Sequence, residues 1–441
     1  MPLAKSPGPH FGAFESTLIH GSGVDVLETT RHLENCCEDL DLLRRAGVKN
    51  LRYPAPWHRI EASPDHFDFA WMDKPMQHMR REGMKPVIDL LHHTSFPEWL
   101  ENGFLNPQFP RLFARFVREF ARRYEWVTDY TIFNEPLATS LLCSYTGVWY
   151  PYQSSDPAFV QMGVNVARAI RVVEAELRRM NPSFEFVYND TCESHKQNDL
   201  KSAAWTEFAS HRRFWILDLV LGRVSAHHPL YKWITSNGVT SEDLKPFRNE
   251  PVQIDLLGLD YYPHSEMNWY WSKSLGRANI HSVTEPRGFA EVACDYVERY
   301  GLPVMLAETN VRGTVTDRLT WLKFMEEQCE MLTQKGVDLR GFCWFPSIDS
   351  TDWSNLCASY TGDIDPQGIW YLDASCRNRV CSELSEWYER LACESAKSAD
   401  LPAYRLLPPV DSQLSGYLKL MAHWDNWIEP SDVKDQEQQA A

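Results

Sequence analysis

Short apolar runs alternate with longer amphipathic segments along most of the chain. Eight of the short runs have the pattern of strands buried on both faces. They span residues 10–15, 48–54, 85–92, 128–135, 184–190, 254–262, 302–308 and 339–345. The segments between them place apolar residues at three- and four-residue steps, which is typical of helices packed through one face. This spacing predicts helices at 109–124, 157–180, 316–335 and 378–393.

A strand followed by a helix, repeated eight times, predicts a parallel sheet closed into a (β/α)8 TIM barrel. An open, doubly wound sheet is the alternative, but no Gly-x-Gly-x-x-Gly follows the first strand to support a dinucleotide-binding version. The barrel is predicted to span residues 1–395 as one domain. Residues 396–441 are predicted to form a C-terminal extension anchored by Trp424 and Trp427, with a disordered tail from about Asp432.

Charge and composition exclude several classes of function. The net charge of −16 over 441 residues repels phosphate backbones, so we expect no nucleic-acid partner. No basic run suits an anionic membrane, and no apolar stretch is long enough to span a bilayer. The segment from Met1 to His10 lacks an apolar signal sequence, which predicts a cytoplasmic protein. The 11 cysteines form no Cys-x-x-Cys pair, so they are expected to be reduced thiols without a zinc site.

Polar residues stand where the predicted strands end, the position of active sites in TIM barrels. They are Arg52, His92, His93, Asn134, Glu135, Asn189, Asp190, Asp260, Tyr261, Tyr262 and Glu308. The eighth strand leads to Trp344 and, further on, to Asp349 and Asp352. Glu135 and Glu308 end the fourth and seventh strands and are expected to face each other across the barrel mouth. Hydrolysis of a glycosidic bond requires such a pair, in which one carboxylic acid protonates the leaving oxygen while the other attacks the anomeric carbon or activates water. The sequence gives no distance between them, so it leaves retention and inversion of configuration open.

The neighbours of the two glutamates fit this chemistry. Arg52 is expected to keep Glu308 ionised, and a tyrosine from the sixth strand to donate a hydrogen bond to the same carboxylate. Asn134 is expected to bind the 2-hydroxyl of a sugar. The charge on Glu308 would raise the pKa of Glu135 and so favour the protonated form that a general acid needs. The high aromatic content of 13%, with 17 tryptophans, also suits stacking against sugar rings.

Two pairs of adjacent histidines, His92-His93 and His227-His228, raise the question of a metal site. Metal-dependent barrel hydrolases use His-x-His, because alternate side chains of a strand point to the same side. No His-x-His occurs in the sequence. We therefore predict no metal and no cofactor, and expect His93 to contact a sugar hydroxyl.

Five motifs in this order resemble glycoside hydrolase family 1, the β-glucosidase family, over about residues 10–393. They are LRYPAPWHRI (51–60), YTIFNEP (130–136), GLDYY (258–262), GLPVMLAETN (301–310) and GFCWFPSIDSTDW (341–353). The resemblance implies a retaining glycosidase for β-linked glycosides, with Glu135 as acid/base and Glu308 as nucleophile. It also implies Tyr262, with Tyr261 as the alternative, as the partner of the nucleophile, and Trp344 as a sugar contact.

The sequence departs from the family pattern around the sugar. The strand-one glutamine of the family has no counterpart, and Glu15 stands in that region instead. The tryptophan that follows the strand-three histidine is replaced by Thr94, while His93 is kept. One residue looks inserted after strand eight, where Asp352 and Trp353 replace the usual Glu-Trp. These changes predict a retained catalytic centre with altered sugar recognition.

The altered sugar-binding residues leave two other functions open. One is a non-catalytic carbohydrate-binding relative, and the other is an endo- or exo-glycanase of the same clan with a different sugar specificity. In each case the expected partner is a carbohydrate or glycoside. The sequence does not name the sugar or the linkage, and it leaves a homo-oligomer open.

Overall fold

Eight parallel strands form a closed barrel in the computed structural model of the chain, which describes residues 8–283 and 286–402. The strands are β1 (His10–Ala13), β2 (Asn50–Pro54), β3 (Lys85–Asp89), β4 (Asp129–Thr131), β5 (Glu185–Thr191), β6 (Leu256–Asp260), β7 (Val304–Glu308) and β8 (Leu339–Cys343). Each pairs with its neighbours in sequence, and β1 closes the barrel by pairing with both β2 and β8. The predicted TIM barrel is thus confirmed. Each strand lies within the run predicted for it, apart from Thr191, which extends β5 by one residue.

Helices follow the strands and form the outer layer of the barrel. They are α1 (Val26–Thr29), α2 (His32–Arg45), α3 (Trp57–Ile60), α4 (Asp73–Glu82), α5 (Phe109–Arg123), α6 (Pro136–Ser144), α7 (Asp156–Met180), α8 (Ala203–Arg212), α9 (Trp215–Val220), α10 (Tyr231–Ser236), α11 (Ser241–Asn249), α12 (Phe289–Tyr300), α13 (Val315–Gln334) and α14 (Glu383–Ala392). The helices predicted at 109–124, 157–180 and 316–335 correspond to α5, α7 and α13 within one residue at each end.

The predicted helix at 378–393 begins later than expected. Residues Arg379–Val380 pair as a short antiparallel strand with Tyr371–Leu372, and α14 starts at Glu383. The side chain of Arg379 forms a buried ion pair with Asp39, at 2.6 Å. This tertiary contact explains why residues 378–382 are not helical although their apolar spacing suits a helix.

Short strands outside the barrel form small additional sheets. A three-stranded sheet of Ser194–Gln197, Glu266–Ser272 and Arg277–Ser282 follows the ends of β5 and β6. Two further antiparallel pairs join Leu18–Ile19 to Val24–Asp25 and Ser350–Thr351 to Ile364–Asp365. These elements build the loops at the end of the barrel where β1, β5, β6 and β8 finish.

Side chains of the strands alternate between two buried layers. The layer inside the barrel consists of Phe11, Ala13, Val87, Val187, Met305, Ala307, Cys343 and Phe345. A larger layer, between barrel and helices, includes Leu51, Tyr53, Leu257, Leu259, Phe342 and Trp344. Because neighbouring residues of a strand point to opposite faces, Phe345 faces the barrel interior while Trp344 faces the helices.

The segment after α14 packs back on the barrel. Lys323 of α13 donates hydrogen bonds to the carbonyl oxygens of Ser398 and Leu401, at 2.9 and 3.2 Å. The predicted anchors Trp424 and Trp427 and the tail from Asp432 lie outside the described residues. Among the helices that the structure describes, none has the length and apolar character needed to cross a membrane.

Candidate active site

A cavity opens at the C-terminal ends of the barrel strands, where the polar residues of the sequence were expected. Its lining includes Glu15, His93, Glu135, Trp149, Thr191, Tyr262, His264, Glu308, Asn310, Arg312, Phe345, Trp353, Ser354 and Gln367. Besides the two glutamates, four of the residues predicted from sequence line the cavity: Glu15, His93, Tyr262 and Trp353. Arg52 is not part of the lining but contacts Glu308, which is.

Glu135 is placed by the junction between β4 and α6. Its backbone amide donates to the carbonyl of Asn189 at 3.1 Å, and Pro136 begins the helix. The backbone of Glu135 has φ 45°, in the left-handed region that residues other than glycine rarely adopt. Such strained conformations cluster at functional sites, where the surrounding structure holds them. Burial, and next the charge of Glu308, raise the pKa of the Glu135 carboxyl well above its usual value.

Glu308 ends β7 and is held at both oxygens. The Arg52 guanidinium donates to its Oε1 at 2.7 Å, and the Tyr262 hydroxyl donates to its Oε2 at 2.8 Å. The neighbouring Tyr261 instead donates to Glu266 at 2.7 Å. Of the two tyrosines left open by the sequence, Tyr262 is therefore the one that contacts Glu308.

Arg52 connects the ends of several strands. Besides Glu308 it donates to the carbonyl of Ala307 at 3.0 Å and to Oδ1 of Asn134 at 2.8 Å, and it lies 3.4 Å from Asp89. Asn189 donates to the same oxygen of Asn134, at 2.5 Å. The Nδ2 group of Asn134 is buried and has no hydrogen-bond partner in the part of the chain that is described. It is thus a donor free to bind a ligand.

Glu15 belongs to a charged group at the ends of β1 and β3. One of its oxygens accepts three hydrogen bonds, from the backbone of Ser16 and from the backbone and hydroxyl of Thr17. His92 lies 3.2 Å from Glu15 and 2.7 Å from Asp89. Burial alone would raise the pKa of Glu15, but the charge of His92 and the hydrogen bond from the Thr17 hydroxyl lower it to about 2. Burial likewise opposes the charge on His92, yet Glu15 and Asp89 raise its pKa to about 10.

His93 differs from His92 in both contacts and charge. One ring nitrogen, Nδ1, is hydrogen-bonded to the hydroxyl of Thr139 at 2.9 Å, and Nε2 lies 3.7 Å from Glu135. Burial, and next the charge of His92, lower the pKa of His93 well below its usual value. A neutral imidazole at the cavity wall can exchange hydrogen bonds with a hydroxyl group.

Two residues expected at the sugar lie outside the cavity. Trp344 is fully buried in the layer between barrel and helices, and its Nε1 donates to the carbonyl of Gln367 at 2.8 Å. Asp352 is buried and accepts hydrogen bonds from the backbone of Thr361 and Gly362, so it closes its own loop. The structure thus corrects both expectations, because these side chains are used for packing and loop closure.

Among the residues that the structure adds to the site, three bear on its chemistry and were not assigned to it from the sequence. Phe345 lines the cavity in place of Trp344, and the alternation of strand side chains could have indicated this shift by one residue. Trp149 comes from the loop after α6, for which the sequence gave no signal. Asp260 was recognised as a strand end but given no role, although one oxygen each of Glu135, Asp260 and Glu308 lie within 4.8 Å of one another. These three carboxyls could offer oxygen ligands to a cation, but a guanidinium already contacts Glu308.

Comparison with known proteins places this geometry in a family. The model of glycosyl hydrolase family 1 matches residues 10–273. Beta-glucosidase A of Thermotoga maritima is 20% identical over 395 residues, covering 82% of this chain and 86% of that protein. A protein of Oryza sativa subsp. japonica named probable inactive beta-glucosidase 14 is 20% identical over 449 residues, covering 85% of this chain and 83% of its own.

Solved structures show the same fold. The β-glucosidase from Thermotoga maritima in complex with glucoimidazole superposes with a TM-score of 0.76 at 15% identity, over 90% of this chain and 99% of that one. The family match covers more than half of the chain and coincides with the barrel strands that carry Arg52, Glu135 and Asp260. This protein therefore belongs to glycosyl hydrolase family 1 and is a glycosidase.

Proposed function

We propose that the protein hydrolyses β-linked glycosides with retention of configuration, using Glu308 as nucleophile and Glu135 as acid/base. The separation of the two carboxyls carries the proposal. Their nearest oxygens lie within 4.8 Å, close to the spacing of about 5–5.5 Å in retaining enzymes and short of the roughly 6.5–9.5 Å that an inverting enzyme needs to admit water.

The contacts of each glutamate suit its role. Glu308 receives hydrogen bonds from Arg52 and Tyr262, which fix the orientation of the carboxyl that is to attack the anomeric carbon. Glu135 has a raised pKa, so it carries the proton that the leaving oxygen needs. In the second step the Glu135 carboxylate takes a proton from the water that displaces Glu308 from the sugar.

The cavity wall, together with Asn134 next to Glu135 in the chain, supplies groups for a sugar. The unpartnered Nδ2 of Asn134 suits the 2-hydroxyl, and the neutral His93 suits a neighbouring hydroxyl. Trp353 lines the cavity, and its buried Nε1 has no partner among the described residues, so it is another free donor. Phe345 offers an aromatic face for the sugar ring. Ionised Glu15 accepts hydrogen bonds only, which favours a substrate with hydroxyl donors at that position.

A non-catalytic role is the competing proposal, and one relative is named as probably inactive. Loss of a catalytic carboxylate is the simplest cause of inactivity in such a fold. Here both glutamates remain, within 4.8 Å, with Glu308 bonded on both oxygens. These contacts favour an active enzyme. The changed positions Glu15, Thr94 and Asp352 favour a specificity that differs from that of plain β-glucosidases, including a glycanase. We also propose that residues 1–395 form the catalytic domain and 396–441 an extension.

The direct test combines turnover with covalent trapping. We expect the purified protein to release the aglycone from a member of an aryl β-glycoside panel, and a matching 2-deoxy-2-fluoro glycoside to label the peptide that contains Glu308. With an activated aryl substrate and azide, Glu308→Ala should give the α-glycosyl azide and Glu135→Ala the β-anomer, because each lacks a different carboxylate.

A matched control is available on the outer layer of the barrel. Glu174→Gln changes a buried glutamate of α7 that pairs with Arg178 and does not line the cavity, so this variant should keep turnover and labelling. Absence of turnover with every glycoside in the panel, or a label on a peptide without Glu308, would refute the proposal.

A further inference from the structure

Asp260, the last residue of β6, is a third carboxyl beside the two glutamates. It is fully buried. Its Oδ2 accepts a hydrogen bond from Nδ2 of Asn189 at 2.7 Å. Its Oδ1 is buried and receives no hydrogen bond from any group in the described part of the chain. An oxygen of this carboxyl lies within 4.8 Å of oxygens of both Glu135 and Glu308.

The charges around Asp260 decide its protonation. The ionisable groups that face it are Glu308 of β7, Glu135 after β4, Asp190 of β5 and, as the cation, Arg52 of β2. Arg52 donates its hydrogen bonds to Glu308, Ala307, Asn134 and Asp89, and none of them goes to Asp260. An ionised Asp260 would thus be a buried carboxylate without a cation of its own, beside a second carboxylate. Burial, and next the charges of Glu308 and Glu135, raise the pKa of Asp260 well above its usual value.

We propose that Asp260 is a positioning residue that stays protonated and donates a hydrogen bond from Oδ1 to the carboxylate of Glu135. The inference rests on the acid/base role proposed for Glu135. In the first step Glu135 gives its proton to the leaving oxygen, and the hydroxyl of Asp260 bonds to the carboxylate that results. In the second step Glu135 takes a proton from the attacking water, so Asp260 neither gains nor loses a proton over the cycle.

This arrangement offsets the two effects that oppose ionisation of Glu135. Burial and the neighbouring Glu308 both favour its protonated form, which helps the first step and hinders the second. A donor bonds more strongly to a carboxylate than to a neutral carboxylic acid, so it stabilises the state that must act as a base. Asp260 therefore balances the acid and base functions of one carboxyl.

Two substitutions separate a protonated Asp260 from an ionised one. In Asp260→Asn the amide oxygen can keep the hydrogen bond from Asn189, which leaves the NH₂ group at the position of Oδ1. This variant reproduces the donor, so kcat/KM should stay within about threefold and the alkaline limb of its pH profile should stay in place. Asp260→Ala removes the donor, so kcat/KM should fall about 10- to 100-fold and the limb should move to higher pH.

An ionised Asp260 would give a different pH profile for Asp260→Asn. Asp260→Asn would then remove a negative charge from beside Glu135 and add a donor, and both changes favour ionisation of Glu135. The alkaline limb would move to lower pH, and that result would overturn the inference. Thermal unfolding of both variants identifies any loss of activity that comes from loss of the fold.

Infrared spectroscopy tests the same point without turnover. At pH 7 the wild-type protein should show a carbonyl band of a protonated carboxylic acid that Asp260→Asn lacks. Identical spectra would overturn the inference whether or not the protein is active. The band in a protein that hydrolyses no glycoside would support a protonated Asp260 and refute the function proposed for Glu135.

Discussion

Removal of His92 should destabilise the protein strongly, by an amount that shrinks as the pH rises. His92 is buried between two carboxyls, 3.2 Å from Glu15 and 2.7 Å from Asp89. These partners raise the pKa of His92 from 6.5 to about 10. At about 1.4 kcal/mol per pH unit, that rise corresponds to about 5 kcal/mol of favourable interaction. Removing one partner from a buried ion pair typically costs about 3–5 kcal/mol. The value from the pKa rise and this typical cost therefore agree on the destabilisation expected for His92→Gln.

The direction of the pH dependence follows from the raised pKa. The contribution of His92 is complete below about pH 6.5 and is lost as the pH rises toward 10, where the native side chain deprotonates. Glu15 behaves in the opposite sense, because its pKa is lowered to about 2. Its contribution is complete above about pH 4.5 and is lost as the pH falls. The interaction should therefore be strongest between about pH 4.5 and 6.5.

Urea unfolding measures this effect directly. We expect the difference in unfolding free energy between wild type and His92→Gln to be about 3–5 kcal/mol at pH 6 and to fall by up to about 1.4 kcal/mol per pH unit above pH 7. His78→Gln is the control, because His78 pairs with the partly exposed Asp41 at 3.1 Å and such pairs contribute about 0–1 kcal/mol. A difference below about 1 kcal/mol for His92→Gln, or one that is constant from pH 6 to 10, would refute the reasoning.

Three further predictions concern the site and its support. Trp344→Phe should lower the free energy of unfolding by about 1–3 kcal/mol and leave kcat/KM unchanged, whereas Phe345→Ala should lower kcat/KM about tenfold; equal kinetic effects would contradict the assignment of Phe345 to the cavity. Glu308→Gln should lower the pKa of Glu135, because a neighbouring negative charge is removed, as measured by carbon-13 NMR of labelled glutamate; an unchanged titration would argue against their coupling. Gly258→Ala should destabilise the protein by about 1–3 kcal/mol in urea unfolding, since its methyl group would lie 2.3 Å from a buried side-chain oxygen of β5, and full stability would show that this oxygen can move.

The barrel itself was predictable because each strand is a short apolar run with a clear end. β2, β3, β6, β7 and β8 all lie inside their predicted runs, and the closing of the sheet follows from the alternation with helices. The first turn of the helix predicted at 378–393 was wrong because Arg379 pairs with Asp39, a contact 340 residues away in sequence. No local pattern contains such information.

The candidate site was predictable to the extent that its residues end strands. Glu135, Glu308 and Arg52 are fixed by the barrel topology, and their contacts follow from it. Trp344 was misplaced because an insertion was assumed after β8, whereas the alternation of side chains puts the next residue, Phe345, in the cavity. Trp149 could not be found, since the path of a loop is not set by strand or helix periodicity.

The charges at the barrel mouth explain why so many carboxyls can share one cavity. Arg52 and His92 form ion pairs with Glu15, Asp89 and Glu308, while burial and mutual repulsion raise the pKa values of Glu135 and Asp260. With these two cations and three carboxylates charged and the other two carboxyls neutral, the formal balance of the group is one net negative charge. Hydrolysis of a glycoside passes through a transition state with positive charge on the sugar, and a preorganised negative charge stabilises that state more than the neutral substrate. A further ionised carboxylate would add to this attraction only at the cost of the proton that the leaving oxygen needs. The arrangement of Asp260 as a neutral neighbour therefore follows from the same requirement that places Glu135 and Glu308 together.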